Sequence, residues 1–297
     1  MIVHLIDGTY ELFRHHYGVP EEARSEPGTT AATRGVVNRV LYLLEEGATH
    51  IGVATDSVVE SFRNQMWPGY KTSDGMDPLL LSQFPLVEEA LEALGVKVWA
   101  MVELEADDAL ATAAALAAED PDVTTVHIHT PDKDLGQCVV DERVVQWDQR
   151  NQRTVDAAAV EAKFGVPPVS IPDWLALVGD SADGFPGLPG WGAKTATAVL
   201  ARYGHIESIP DEPAGWDVAV RGIPKLAATL KEQRELAMLF KDLATLRIDR
   251  SLMSSVDELR WAGPSADFER VCAVLGPEAR SFSERAAKVA ARIADHQ

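Results

Sequence analysis

Nine carboxylates occupy positions from which they could act together: Asp7, Asp56, Glu105, Asp107, Asp108, Asp132, Asp134, Asp180 and Asp183. Asp7 follows the apolar run Ile2–Ile6, and Asp56 follows His50–Thr55. Asp132 and Asp134 follow Val123–His129, while Glu105, Asp107 and Asp108 open a helical stretch just after Val96–Met101. In open α/β sheets, ligands bind beyond the carboxyl ends of strands. Several strands delivering acids to one rim is more than a solvated surface predicts. Like charges packed together without cations would be prohibitive. All-oxygen donors suit Mg²⁺ or Mn²⁺ and not zinc. Two such ions about 3.5–4 Å apart activate a water and stabilise a leaving oxygen in phosphodiester hydrolysis. Asp107 and Asp108 have an equal claim as dipole-favoured helix caps. Asp180 and Asp183, within Gly179-Asp180-Ser181-Ala182-Asp183-Gly184, are ordinary turn chemistry when taken alone.

The second chemical feature is a glycine hairpin, Pro186-Gly187-Leu188-Pro189-Gly190-Trp191-Gly192-Ala193-Lys194-Thr195-Ala196. It is not a P-loop, because Ala193 follows Gly192 where that motif needs lysine. It reads instead as two helices joined by a tight turn. Bare N–H groups at the start of the second helix can approach phosphate oxygens, with Lys194 beside them. Such contact would be independent of base sequence; an ordinary helix–turn–helix hairpin is the plainer alternative.

Charge follows the same division. The chain has 27 Lys+Arg against 46 Asp+Glu, a net charge of −19 over 297 residues. Residues 1–190 hold 12 and 31 of these, a balance of −19; residues 191–250 hold 9 and 8, a balance of +1; residues 251–297 hold 6 and 7, a balance of −1. Net acidity alone argues against a nucleic-acid partner, but bound cations reverse the sign locally. Glu21, Glu22, Glu45, Glu46, Glu88 and Glu89 read as solvated surface. His127 and His129 alternate on a strand and read as core or surface histidines, with no Cys/His metal spacing in the chain. Cys138 and Cys272 are expected to be reduced thiols. No run of about 18 apolar residues suggests a membrane span. The opening MIVHLIDGTY has no signal-peptide pattern, so a cytoplasmic protein is expected.

The elements that must position these groups are legible in outline. The four apolar runs are buried-strand patterns, and helical periodicity lies between them at Thr30–Glu46, Leu79–Leu94 and Ala106–Ala118. Alternating strand and helix predicts an α/β fold with a parallel sheet covered on both faces. Gly165-Val166-Pro167-Pro168 marks a change of character. Beyond it, helical patterns broken by Gly and Pro dominate.

In this order the motifs are recognisable. The chain resembles the bacterial 5′-nuclease family, comprising the 5′→3′ exonuclease domain of DNA polymerase I and stand-alone flap endonuclease-like proteins. The matching segments are Leu5–Thr9, Phe62-Arg63, Pro68–Lys71, Glu105–Asp108, Thr130–Leu135 and Gly179–Asp183 running into Pro186–Thr195. The resemblance implies a PIN-like parallel-sheet nuclease core over residues 1–172 and a helix-three-turn-helix DNA-binding region over 173–250. A C-terminal segment, 251–297, would return to the core, with Leu246–Asp249 as the return path. It implies structure-selective cleavage of branched or 5′-ended double-stranded DNA by two-metal-ion catalysis. Asp7, Asp56, Glu105, Asp107 and Asp108 would hold the first metal, and Asp132, Asp134, Asp180 and Asp183 the second. Arg63 and Lys71 would lie at the scissile phosphate. For Tyr17 and Tyr70, stacking on a terminal base and packing in the core have equal claim. Gly190, Gly192, Lys194 and Thr195 would grip the duplex backbone, where relatives can also hold K⁺. Three positions depart from the family pattern. Asp74 stands where relatives carry Arg, Gly184 where they carry Asn after the second acid of the motif, and His16 where they carry an aromatic residue. An acid at Asp74 would repel phosphate, so a DNA-binding protein with weak or lost catalysis is the alternative. An RNase of the wider PIN class is a third reading. No polymerase segment is recognisable, and the expectation is a stand-alone nuclease.

Overall fold

The computed structural model describes residues 1–26 and 28–294 and divides into two compact units. The first comprises Met1–Val59, Ser73–Thr130 and Ile248–Gln297; the second comprises Glu60–Thr72 and Pro131–Arg247. The boundaries of this division differ from the segments 1–172, 173–250 and 251–297 in that residues 60–72 and 131–172 group with the helical unit and 248–250 with the first. The C-terminal stretch joins the first unit, where the Asp249 N–H donates to Thr112 Oγ1 at 3.0 Å.

In the first unit, β1 (Ile2–Asp7), β2 (His50–Asp56), β3 (Lys97–Met101) and β4 (Thr125–His129) are all parallel, in the order β3-β2-β1-β4. Leu5 lies opposite both Gly52 and Ile128. Every strand therefore ends at the same rim, as the α/β pattern requires. Ile6, Ile51 and Val53 share one face and pack with Val36, Val40 and Leu44 of the Ala31–Glu45 helix. The strand period of two turns Val3, Leu5, Val126 and Ile128 to the other face, and all four are fully buried. The Ala106–Glu119 helix runs against all four strands, its small side chains permitting close approach.

The expected Leu79–Leu94 helix is two helices, Pro78–Leu81 and Phe84–Ala93. Pro85 sits in the first turn of the second, and its missing N–H and ring bar continuous helix across that point. Gln83 fills the break: its Oε1 accepts from the Thr33 N–H at 3.0 Å.

The second unit is mainly helical, with Ala157–Phe164, Ile171–Val178, Ala193–Tyr203, Ile223–Glu232 and Arg234–Ala244. Its core contains Leu175, Phe185, Trp191, Leu200 and Phe240. It also carries an antiparallel pair, β5 (Val144–Asp148) and β6 (Arg153–Val155). No helix among the described residues is long and apolar enough to cross a membrane.

Candidate metal centre

The acids of the first unit sit at strand ends and are held by backbone. Asp7 closes β1 and caps the Gly8–Tyr17 helix, its Oδ1 accepting from the Tyr10 N–H at 2.8 Å. Its Oδ2 accepts from Thr130 Oγ1 at 2.9 Å, just beyond β4. Asp56 closes β2, and its Oδ1 accepts from the Ala106 N–H at 2.8 Å. Glu105 and Asp108 form a reciprocal capping box at the start of the Ala106–Glu119 helix, with the Glu105 N–H donating to Asp108 Oδ2 at 3.0 Å. The structure thus brings Asp56 against the Glu105–Asp108 turn and ties Asp7 to the end of β4. Asp108 fills the capping role that the sequence allowed it, through Oδ2. Asp107 stands half-buried in the first turn of the same helix.

In the second unit, Asp134, Asp180 and Asp183 each offer a carboxylate oxygen within 4.8 Å of the other two. Asp132 adjoins them, its Oδ1 accepting from the Asp134 N–H at 2.9 Å. A tight turn sets Asp180 and Asp183. The Asp180 N–H donates to the Phe185 carbonyl at 2.8 Å, and the Gly184 and Phe185 N–H groups return to the Asp180 carbonyl at 2.9 and 3.0 Å. Gly187 packs behind it; with φ of 69°, a Cβ there would meet the Gly179 nitrogen at 2.4 Å. The chain can cross itself this closely only with glycine.

These residues fit a hard divalent cation on three counts. Every donor is oxygen. Asp134 Oδ1 is buried and takes no hydrogen bond. Burial first, then the charges of Asp132, Asp183 and Asp180, push the Asp134 carboxyl well above the usual carboxylate range, against the pull of Lys133. An ammonium already stands among the acids. Lys133 Nζ is 2.5 Å from Asp180 Oδ2 and 4.0 Å from Asp134 Oδ1. Burial works to lower its pKa, but the hydrogen bond to Asp180 and the neighbouring carboxylates outweigh this and raise it. Sequence reasoning missed Lys133, although a lysine set between two candidate ligands was the available signal.

Lys71 also reaches the cluster, with Nζ 3.1 Å from Asp183 Oδ1. Its backbone N–H donates to the Asp183 carbonyl at 3.0 Å. Asn64 braces the same loop, donating to the Lys71 carbonyl at 2.9 Å.

Arg63 is placed otherwise than expected. It is 1% exposed, with Nε donating to the Leu243 carbonyl at 2.8 Å and an NH2 group to the Thr245 carbonyl at 3.2 Å. A guanidinium committed to buried carbonyls anchors the loop and does not present itself to a phosphate. Arg63→Lys is expected to cost about 1–3 kcal/mol, since an ammonium cannot reproduce the planar fork and leaves a carbonyl unpaired. A lower Tm with unchanged DNA affinity in the folded fraction is the expected result; weaker affinity at unchanged Tm would restore the phosphate role. Tyr70 is likewise core at 4% exposure, whereas Tyr17 is exposed.

At the glycine hairpin, Gly192 caps the Ala193–Tyr203 helix, and its carbonyl accepts from the Thr195 and Ala196 N–H groups, each at 2.9 Å. Nothing lies within 4 Å of a Cβ built on Gly190 or Gly192. Lys194 is exposed and Thr195 half-buried. The Ala193 and Lys194 N–H groups lie ahead of the first intrahelical bond, which Thr195 makes, so the hairpin presents open backbone there that a polyanion can approach.

Comparison with known proteins identifies the family and the fold. Residues 2–165 match the family model described as "5′-3′ exonuclease, N-terminal resolvase-like domain", and residues 166–267 match "5′-3′ exonuclease, C-terminal SAM fold". DNA polymerase I of Bacillus caldotenax is 32% identical over 281 residues, covering 91% of this chain and 30% of that protein. DNA polymerase I of Pseudomonas aeruginosa is 33% identical over 275 residues, covering 89% and 29%. The chain therefore spans about 30% of the length of these relatives. Among solved structures, T5 5′-exonuclease with bound divalent zinc ions has a TM-score of 0.66 at 18% identity, covering 98% of this chain and 100% of that one. The catalytic core of Rad2 in complex with DNA substrate has a TM-score of 0.62 at 15% identity, covering 96% and 91%. Both share the fold of this chain. With its acids at the strand ends and the family model matching 2–165, the chain belongs to the 5′-3′ exonuclease family.

Proposed function

We propose that this chain is a divalent-metal-dependent 5′-nuclease, acting as a flap endonuclease and 5′→3′ exonuclease on branched or 5′-ended double-stranded DNA. The observation that carries the reading is the convergence of Asp134, Asp180 and Asp183 around a buried carboxylate oxygen that takes no hydrogen bond. Asp132, Asp134, Asp180 and Asp183 would hold one Mg²⁺ or Mn²⁺. Asp7, Asp56, Glu105 and Asp107 would hold another, with Asp108 keeping Glu105 in place through the capping box. Bound there, such ions would supply an activated water and charge stabilisation at the leaving oxygen. Lys71 would place a cation beside the phosphate, oriented by its pair with Asp183. Gly190, Gly192, Lys194 and Thr195 would grip the duplex backbone through N–H groups and one ammonium, and carbonyls of the hairpin would hold K⁺. A protein acting on such DNA in a bacterial cell would work in the cytoplasm.

The test is cleavage of a 5′-flap duplex with Mg²⁺ or Mn²⁺, against an all-RNA substrate of the same shape. Metal-dependent release of the flap, absent in EDTA and absent on RNA, is expected. Asp74, exposed in the structure, favours one second reading. Retained flap binding without product at enzyme excess would mean a structure-selective DNA-binding protein. Efficient cleavage of RNA would mean an RNase.

Lys194→Ala tests the hairpin. Removing one phosphate contact should weaken binding alike across sequences and lower the slope of log K against log salt by about 1. An effect confined to one sequence would contradict backbone gripping.

A further inference from the structure

The first unit also contains a cluster of nitrogen ligands that the nuclease reading leaves unused. Register creates it. His4 on β1 lies opposite His127 on β4, and Ile6 lies opposite His129. With a strand period of two, His4, His127 and His129 project from one face. One ring nitrogen from each lies within 4.8 Å of the other two, and His4 Nδ1 is 3.0 Å from His129 Nε2. His4 and His127 are half-buried and His129 is 4% exposed, so the cluster is desolvated yet reachable from solvent.

We propose that His4, His127 and His129 form a site for one borderline divalent transition-metal ion of the Zn²⁺ class, with water as its fourth ligand. Three imidazoles and an open position suit such an ion, and carboxylate-preferring Mg²⁺ binds them poorly. Nitrogen ligands on a tetrahedral ion of this class stand about 3.3 Å apart, given bonds of about 2.0–2.1 Å. The His4–His129 pair is already near that spacing, and a His127 ring nitrogen lies within 4.8 Å of both. Only neutral imidazole ligates. Burial, then the charges of His127 and Arg39, lower His4 to about 4. Burial also lowers His127 and His129. All three rings are therefore neutral at neutral pH, and the proton shared between His4 Nδ1 and His129 Nε2 must leave that contact for both nitrogens to ligate.

One neighbour opposes the ion. An Arg39 NH2 group lies 3.4 Å from His129 Nδ1. There it adds positive charge and favours the tautomer with its proton on Nε2, the nitrogen facing His4. Buried Glu11 partly offsets that charge. Arg39 thus sets the affinity of the site.

Co²⁺ is the probe, added to protein holding a large excess of Mg²⁺ so that the carboxylates are occupied. One equivalent should give the intense visible absorption of a tetrahedral nitrogen-ligated ion. His4→Gln and His127→Gln should each weaken that absorption titration by at least tenfold, while Asp134→Asn leaves it intact. No absorption, or absorption that survives both glutamine variants, would overturn the site, as would its loss in Asp134→Asn. Should the histidine variants not fold, Arg39→Gln decides: it should bind Co²⁺ several-fold more tightly, and unchanged or weaker binding refutes the assignment.

Discussion

Asp134→Asn is expected to reduce flap cleavage by about a thousandfold or more while raising the stability of the metal-free protein. A thousandfold corresponds to about 4 kcal/mol of barrier, within the several kcal/mol that a bound divalent cation supplies at a phosphoryl oxygen. Asn keeps the size of the side chain but removes the charge, and its amide can donate to the neighbouring carboxylates. That relieves the repulsion from Asp132, Asp183 and Asp180, which now raises the Asp134 pKa together with burial. The expected gain in EDTA is about 1–3 kcal/mol, since each buried unpaired acceptor costs that much. At about 2–4 °C per kcal/mol, Tm should rise by roughly 3–10 °C.

The pH dependence has a definite sign. A carboxyl raised in the folded state stabilises the fold when protonated, below its unfolded value of 3.8, and this stability is lost as pH rises through the higher folded value. The advantage of Asn over Asp in EDTA should therefore be small near pH 4 and grow toward neutrality. With saturating Mg²⁺ it should vanish or reverse, because the wild-type carboxylates then have their cation. Thermal melts of the two proteins across that range, with and without Mg²⁺, decide the matter. A wild type that outlasts the variant in EDTA at neutral pH would remove the metal assignment of this cluster.

The strand-end acids of the first unit could be read from the chain before any fold was known. Acids placed directly after apolar β-branched runs can only fall at a sheet rim once the strands are parallel, which is why Asp7 and Asp56 were identifiable. The same logic does not reach Lys133, because a lysine between two acids looks like surface charge until the turn folds its ammonium inward. It fails differently for Arg63. The sequence supplies a cation near Lys71, but its partners are carbonyls 180 residues away in the chain, at Leu243. Burial by such distant backbone leaves no local signature. The strands Val144–Asp148 and Arg153–Val155 were also illegible, being short, with no apolar run as clear as the other four. The histidine cluster shows the limit most plainly. His127 and His129 were visible as alternating residues, yet only the β1–β4 register places His4 beside them. Pairing register is set by the whole sheet, and no spacing within one strand encodes it.

Gly184→Asn, which restores the residue usual in the family, is expected to destabilise this protein and misplace Asp183. Gly184 has φ of 83°, a region that asparagine tolerates better than most residues but at some cost. Space is the greater obstacle. A Cβ on Gly184 would lie 1.9 Å from the Gly69 carbonyl oxygen and 3.1 Å from its carbon. The obstacle is backbone, so no side-chain rotation relieves it. The two segments are also bonded in this contact, through Trp67 Nε1 to the Gly184 carbonyl at 3.0 Å and the Lys71 N–H to the Asp183 carbonyl at 3.0 Å. Forcing them apart strains or breaks both bonds, and with them the pair between Lys71 Nζ and Asp183 Oδ1. Overpacking and left-handed backbone each cost about 1–3 kcal/mol, so a total of about 2–5 kcal/mol and a Tm lower by roughly 5–15 °C are expected. Cleavage by the folded fraction should fall as well, because Lys71 and Asp183 move together. Gly184→Ala separates the causes: it lacks the amide yet carries the same Cβ, and should be at least as destabilised. If Gly184→Asn melts with the wild type and cleaves at its rate, the close backbone crossing at Gly69 is not what fixes the geometry of this turn.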